Sequence, residues 1–297
     1  MSVAWLVLPD FLLILIGWLL HHRLGFSRDF FNGLEKLVYY VLFPALLFQS
    51  ILKTPISPAT AGDTALACAA LALVGFAIAK LAALVLRPPA MALASSVQCA
   101  FRFNTYLGLA LAPSLGGAVG QTTMALILGL SIPMVNVLAV YTLARHQGGN
   151  VFGALLRNPL FISTLLGLAG NLAGLQLPGP IDATVGRLGV AAIALGILCI
   201  GPSLSWQGSQ GLGGLVTWMV STKLLVLPAC AWLIARLIGF DPLSTQMLVL
   251  FAALPCATTA YVLAVRMGGD GRLVSLIISV GTLLSALTIP IWMVLVR

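Results

Sequence analysis

Apolar runs of about the length that crosses a lipid hydrocarbon layer follow one another through nearly the whole of this sequence. Residues 65–86, "ALACAALALVGFAIAKLAALVL", hold a single charge, Lys80. A helix rises about 1.5 Å per residue, so roughly 20 apolar residues cover the hydrocarbon thickness. Of the 297 residues, 60% are hydrophobic and 7% charged, against about 25% charged in soluble domains. These figures describe an all-α polytopic membrane protein, and soluble-domain size arguments do not apply to it.

Short polar breaks divide the chain into ten predicted spans: 4–20, 32–52, 61–86, 91–112, 118–144, 158–175, 184–204, 212–235, 244–266 and 273–296. Alternating the loops puts Arg23, Arg28, Lys36, Arg87, Arg145, Arg157, Arg266 and Arg272 on one side and Lys53, Arg187, Arg236 and Arg297 on the other. The richer side is cytoplasmic by the positive-inside rule, so both termini face outward. Basic residues at span ends are topology signals and form no stripe of the kind that binds nucleic acid.

The polar stretch "RHQGGNVFGALLRN" at 145–158 falls near the middle. It separates a first five-helix half, 1–147, from a second, 158–297, with 148–157 as a short cytoplasmic linker. An odd number of spans per half gives two halves of opposite orientation, the inverted-repeat plan of secondary transporters. Setting "FNTYLGLALAPSLGG" (103–117) against "PCATTAYVLAVRMGG" (255–269) matches their Gly-Gly pairs and makes span four the counterpart of span nine.

Pro255 stands near the centre of span nine, where it removes a backbone donor and clashes with the preceding turn, so the helix is expected to break. Cys256, Thr258 and Thr259 follow at once and can satisfy freed backbone groups or a ligand. Span four has Asn104 and Thr105 at the corresponding place, both of which compete with helical hydrogen bonding. Two half-helices then begin near the midplane with unpaired N–H groups and positive dipole ends, which suit an anion. Asn104, at the break itself, reads as a ligand-binding amide.

Arg102 lies inside span four, where a cation costs roughly 2.5–3.5 kcal/mol on insertion scales, so it faces a cavity or a partner. Two readings stay open: it bonds carbonyls freed by the break in its own helix, or it touches ligand. Lys223 sits deep in span eight and either lines the same cavity or snorkels; Lys80, nearer an end, snorkels. Asn136 follows Pro133 in span five and reads as a site amide or as interhelical glue. Gln49 reads as interfacial, and Tyr39, Tyr40 and Trp206 as belt or packing aromatics.

None of the seven carboxylates falls at a span midpoint. Cations and amides in the core therefore favour an anionic substrate over a carboxylate-built cation site. His21, His22 and His146 lack metal-ligand spacing, enzyme signatures are missing, and no metal, cofactor or catalytic activity is expected. The five cysteines all lie in apolar segments.

"FRFNTYLGLAL" (101–111), "IPMVNVLAV" (132–140), "NPLFISTLLGLAGNLAGLQLP" (158–178) and "ALPCATTAYVLAVRMGGD" (253–270), with "VLFPALLFQSIL" (41–52), together resemble the bacterial branch of the auxin efflux carrier family. The resemblance covers nearly the whole chain. It implies ten helices in two inverted five-helix repeats with broken, crossed helices four and nine, a scaffold of spans one, two, six and seven, and a transport domain of the rest. It further implies an elevator-type carrier of small organic anions, malonate-like or auxin-like, in the bacterial inner membrane, with a homodimer formed through the scaffold. A sodium-coupled symporter of an amphipathic anion, as in the related bile acid branch, is the alternative. By the same resemblance Asn104 is the crossover Asn, Pro255 the crossover Pro and Asn136 a substrate-facing amide. Phe103 stands where a proline usually precedes the crossover Asn, which leaves the sharpness of the first break open.

Overall fold

The computed structural model describes residues 3–53, 58–147, 159–203 and 211–296, and every regular element among them is helical. The expected linker 148–157 and Trp206 lie outside the described residues. In order the helices are α1 (Val3–His22), α2 (Arg28–Leu52), α3 (Pro58–Val85), α4 (Ala90–Ser96), α5 (Thr105–Gln147), α6 (Pro159–Leu172), α7 (Gly179–Ser203), α8 (Gly213–Ile238), α9 (Pro242–Ala253), α10 (Thr259–Arg266) and α11 (Gly271–Leu295). Six stretches, Arg28–Leu52, Ala61–Val85, Ala90–Leu143, Gly179–Cys199, Gly213–Ile238 and Gly271–Leu295, are long and apolar enough to cross a bilayer.

Local chemistry explains where these helices bend and end. Val38–Leu42 in α2 and Thr222–Val226 in α8 are single π-helical turns, each followed two residues later by a proline, Pro44 and Pro228. A proline ring collides with the carbonyl one turn back, and a widened turn moves that carbonyl aside without ending the helix. α5 runs through the gap predicted between spans four and five, kinked at Gly117 (φ 59°, ψ −149°), a conformation that suits glycine alone. At Asp241 the carboxylate accepts hydrogen bonds from the N–H groups of Leu243 and Ser244 and caps α9; Asp270 does the same for α11 through Leu273.

The densest helix packing falls into two groups, which also touch each other where α1 meets α11 and where α5 meets α2, α6 and α7. α1, α2, α6 and α7 pack on one another. Contacts there are close because glycines remove side chains: a Cβ at Gly17 would stand 1.9 Å from the Leu198 carbonyl oxygen, and one at Gly201 2.2 Å from that of Ile14. Asn171 of α6 donates to the carbonyls of Ile51 (3.0 Å) and Leu52 (2.9 Å), satisfying the end of α2. The second group, α3, α5, α8, α9 and α11, encloses the main core, with Leu107, Met124, Leu128, Met247 and Leu250 fully buried. Leu84, Val190, Leu237 and Leu287 project outward, well exposed, as side chains facing lipid do.

A candidate anion site at two crossed helix breaks

The path from α4 to α5 leaves α-helical geometry through a 3-10 turn at Val97–Ala100 and an irregular segment, Phe101–Asn104. This break is sharp without a proline at Phe103. Asn104 supplies the reason: its Oδ1 accepts from the N–H groups of Tyr106 (3.0 Å) and Leu107 (3.2 Å), so the residue starts α5 as an N-cap. The second break, between α9 and α10, begins at Leu254, whose ψ of 139° is the extended conformation that a following proline enforces. The two irregular segments meet, and the N–H of Asn104 donates to the carbonyl of Pro255 over 2.8 Å.

Around this contact lies a cavity lined by Arg102, Asn104, Thr105, Asn136, Thr258 and Thr259, with Tyr39, Phe43, Phe103, Tyr106, Ile132 and Val135 as its less polar walls. The space open to the centre of a water-sized molecule is about 50 Å³, so the site is narrow. Of the residues singled out in the sequence, six thus come together at one place. Pro255, Cys256 and Lys223 do not line the cavity. Pro255 shapes the break, and Cys256 is buried behind it with its thiol against the Ala257 carbonyl (3.6 Å).

Arg102 is 8% exposed, and its Nη2 donates to the Thr259 hydroxyl (3.1 Å) at the start of α10. The guanidinium therefore bonds from the first irregular segment to the start of α10, in the other half of the chain. Its Nη1 has no hydrogen-bond partner, and neither has Nδ2 of Asn104. Leaving a buried donor unmet costs about 1–3 kcal/mol, more for a charged group, and two such donors on residues that line one cavity are the arrangement an anion would relieve. The Asn104 amide divides its work: its oxygen holds the helix, and its nitrogen is left for another partner.

Lys223 is fully buried, and its Nζ donates to the carbonyl of Ala252 (2.8 Å), with the Phe251 ring centroid 5.9 Å away. It meets a carbonyl at the C-terminal end of α9, where a cation complements the helix dipole. It does not snorkel.

Residues 2–151 and 143–293 match the sequence profile of the family described as membrane transport protein. The chain belongs to that family. Among its relatives, a "Putative malonate transporter" of Rhizobium meliloti (strain 1021) is 26% identical over 308 residues, which cover 100% of this chain and 96% of the relative. An "Uncharacterized transporter" of Methanothermobacter thermautotrophicus is also 26% identical, over 97% of this chain and 96% of its own length. "Uncharacterized transporter YfdV" of Escherichia coli (strain K12) is 24% identical over 98% of this chain and 96% of its own. Membership in the membrane transport protein family agrees with the resemblance to bacterial auxin efflux carriers, and the relatives are named as transporters rather than enzymes.

Within this member of the family, several site residues carry little signal in the sequence. Tyr39 reads there as a belt aromatic, yet it stands on the π turn of α2 and lines the cavity. Spacing by four places Phe43 on the same helix face, a pattern that was open to inspection. Gln98 is completely buried, and its Nε2 donates to the carbonyls of Ser95 (3.2 Å) and Ala260 (3.2 Å), tying the 3-10 turn to α10. Nothing in its neighbourhood in sequence announces a partner 162 residues away.

Proposed function

We propose that this membrane transport protein is a secondary carrier of small organic anions, holding a carboxylate at the crossing of the two broken helices. The observation that carries the reading is the pair of unmet buried donors, Arg102 Nη1 and Asn104 Nδ2, on two residues that line one cavity beside the starts of α5 and α10. Positive helix ends, a guanidinium and an amide form an environment for negative charge and a poor one for a cation. Thr105, Thr258, Thr259 and Asn136 add hydrogen-bonding capacity around the same space.

In this reading the chain is two inverted five-helix repeats, 1–147 and 158–297, giving ten spans in the bacterial inner membrane with both termini outside. The group α1, α2, α6 and α7 is the scaffold and the site of homodimer contact, and the group that carries the crossover moves past it as an elevator. The denser packing within those two groups than between them supports the division. Tyr106, Tyr39 and Phe43 lie where the groups meet at the cavity, and ring contact there is close: Tyr106 and Phe43 are edge-to-face with centroids 4.2 Å apart.

Flux of radiolabelled carboxylates in proteoliposomes, with and without a sodium gradient, tests the proposal. Wild type is expected to carry out saturable exchange, and Asn104→Ala to reduce it at least about tenfold, the effect of removing one well-placed hydrogen bond and a cap. Equal flux in the variant would sink the site assignment, and wild-type flux no greater than in empty liposomes would sink the carrier reading. Flux that requires sodium would favour the symporter alternative.

A further inference from the structure

The site's charge and donor count restrict its ligand further than "organic anion". Among the described residues that line the cavity, Arg102 is the one Lys or Arg. Lys223 is the other buried cation among the described residues, and its ammonium is committed to the Ala252 carbonyl behind the wall. Two buried donors lack partners there, one on Arg102 and one on Asn104, and a single carboxylate has two oxygens to give them. The rest of the wall offers hydroxyls, the Asn136 amide and the apolar Phe43, Phe103, Ile132 and Val135, and among the described residues no second cation to balance a second charge.

Building on the anion-carrier reading, we propose that the crossover binds one carboxylate through Arg102 Nη1 and Asn104 Nδ2, and selects monocarboxylates with a short apolar body over dicarboxylates. A second carboxylate would enter a narrow, largely apolar space with no cation to meet it. An unpaired buried charge is among the most unfavourable arrangements in protein interiors. A methyl group there would instead need no counter-charge and could be accommodated by a wall that includes Ile132 and Val135. This sets the chain apart in specificity from the relative whose name carries malonate.

Matched pairs test it, because propionate carries a methyl where malonate carries its second carboxylate, and butyrate stands to succinate in a similar way. Proteoliposomes holding wild-type protein are assayed at pH 7.5, where both carboxylates of each diacid are ionised, for exchange of each of the four acids in labelled form and for their mutual competition. Propionate and butyrate are expected to compete at least about 30-fold better than malonate and succinate, a ratio equal to about 2 kcal/mol. Malonate competing as well as propionate, or better, would overturn the selectivity while leaving the carrier reading intact. Exchange of none of the four would overturn both.

A second measurement adds the missing charge. Asn136→Lys places a cation in the cavity wall, and is expected to raise malonate competition relative to propionate at least about tenfold. An unchanged ratio in a variant that still exchanges propionate would show that the single cation does not set specificity. Thermal shift of the detergent-purified protein with propionate against malonate gives a parallel readout, since a ligand of the folded state raises its melting point. Stabilisation by malonate alone would also overturn the proposal.

Discussion

The N–H of Asn104 donates to the Pro255 carbonyl over 2.8 Å, joining the two places at which the chain leaves its helices near the site. Because the bond is between backbones, a side-chain change at 104 leaves it intact and isolates the amide's other roles. Asn104→Ala removes the cap oxygen and the free Nδ2 together and should cost about 1 kcal/mol of stability along with carboxylate flux. Asn104→Asp keeps an acceptor for Tyr106 and Leu107 but places an anion beside Arg102. Near-normal melting with flux down at least about tenfold is the expected result for Asp, and comparing melting curves with flux in both variants separates capping from binding.

Pro255→Ala returns a backbone donor to span nine and frees Leu254 from its extended conformation. Two independent restraints hold the break, the proline and the bond from Asn104, so the substitution should lower the melting point by only a few degrees while weakening ligand-induced stabilisation. A melting series with increasing propionate distinguishes the two effects.

Gly196 forms a socket for Tyr106. A Cβ there would stand 2.1 Å from Cε1 of the ring, far inside van der Waals contact. Gly196→Ala is expected to destabilise by about 1–3 kcal/mol, and Tyr106→Ala to relieve most of that loss, since the clash exists only while the ring is present. Unfolding midpoints for the two single variants and the double variant measure the coupling. Additive losses would mean that the ring and the glycine do not meet.

Lys223→Met keeps an unbranched side chain but leaves the Ala252 carbonyl without its donor. A loss of about 1–2 kcal/mol in thermal stability is expected, with KM for a transported carboxylate unchanged within about twofold because the ammonium stays outside the cavity. A large rise in KM would place Lys223 in the binding site after all.

Asp182 accepts from Lys53 (2.7 Å) and from Gln49 (2.6 Å), linking α7 to α2 at one end of the bundle. Side-chain exposures of 56% for Lys53 and 32% for Asp182 put the ion pair in a screened environment. Asp182→Asn should therefore shift the melting point only slightly, and raising the salt concentration should lower the wild-type melting point by no more than the substitution does.

Residence in the membrane follows from apolar runs alone, since no folding contact is needed to make a charge-poor helix prefer lipid. The break at Pro255 and the disruptive character of Asn104 were equally legible, because both act through the backbone within a turn of themselves. The absence of a proline at Phe103 was a poor guide to the first break, where the Asn104 cap proved sufficient. Gln49, which reads as interfacial, donates to Asp182 from a helix that is distant in sequence.

What tertiary structure alone decided is which of the intramembrane polar groups meet. Arg102, which reads in sequence either as bonding carbonyls of its own broken helix or as touching ligand, bonds Thr259, 157 residues away, and lines the cavity. Lys223, which reads as lining the cavity or snorkelling, bonds Ala252 instead. Tyr39 and Phe43 became site residues only when α2 was laid against the crossover. Local sequence carries the covalent and steric preferences of a few neighbouring residues and so determined the medium, the helices and the breaks. Pairing between distant polar groups depends on how those helices stack, because a buried donor takes whichever acceptor the packing brings within about 3 Å.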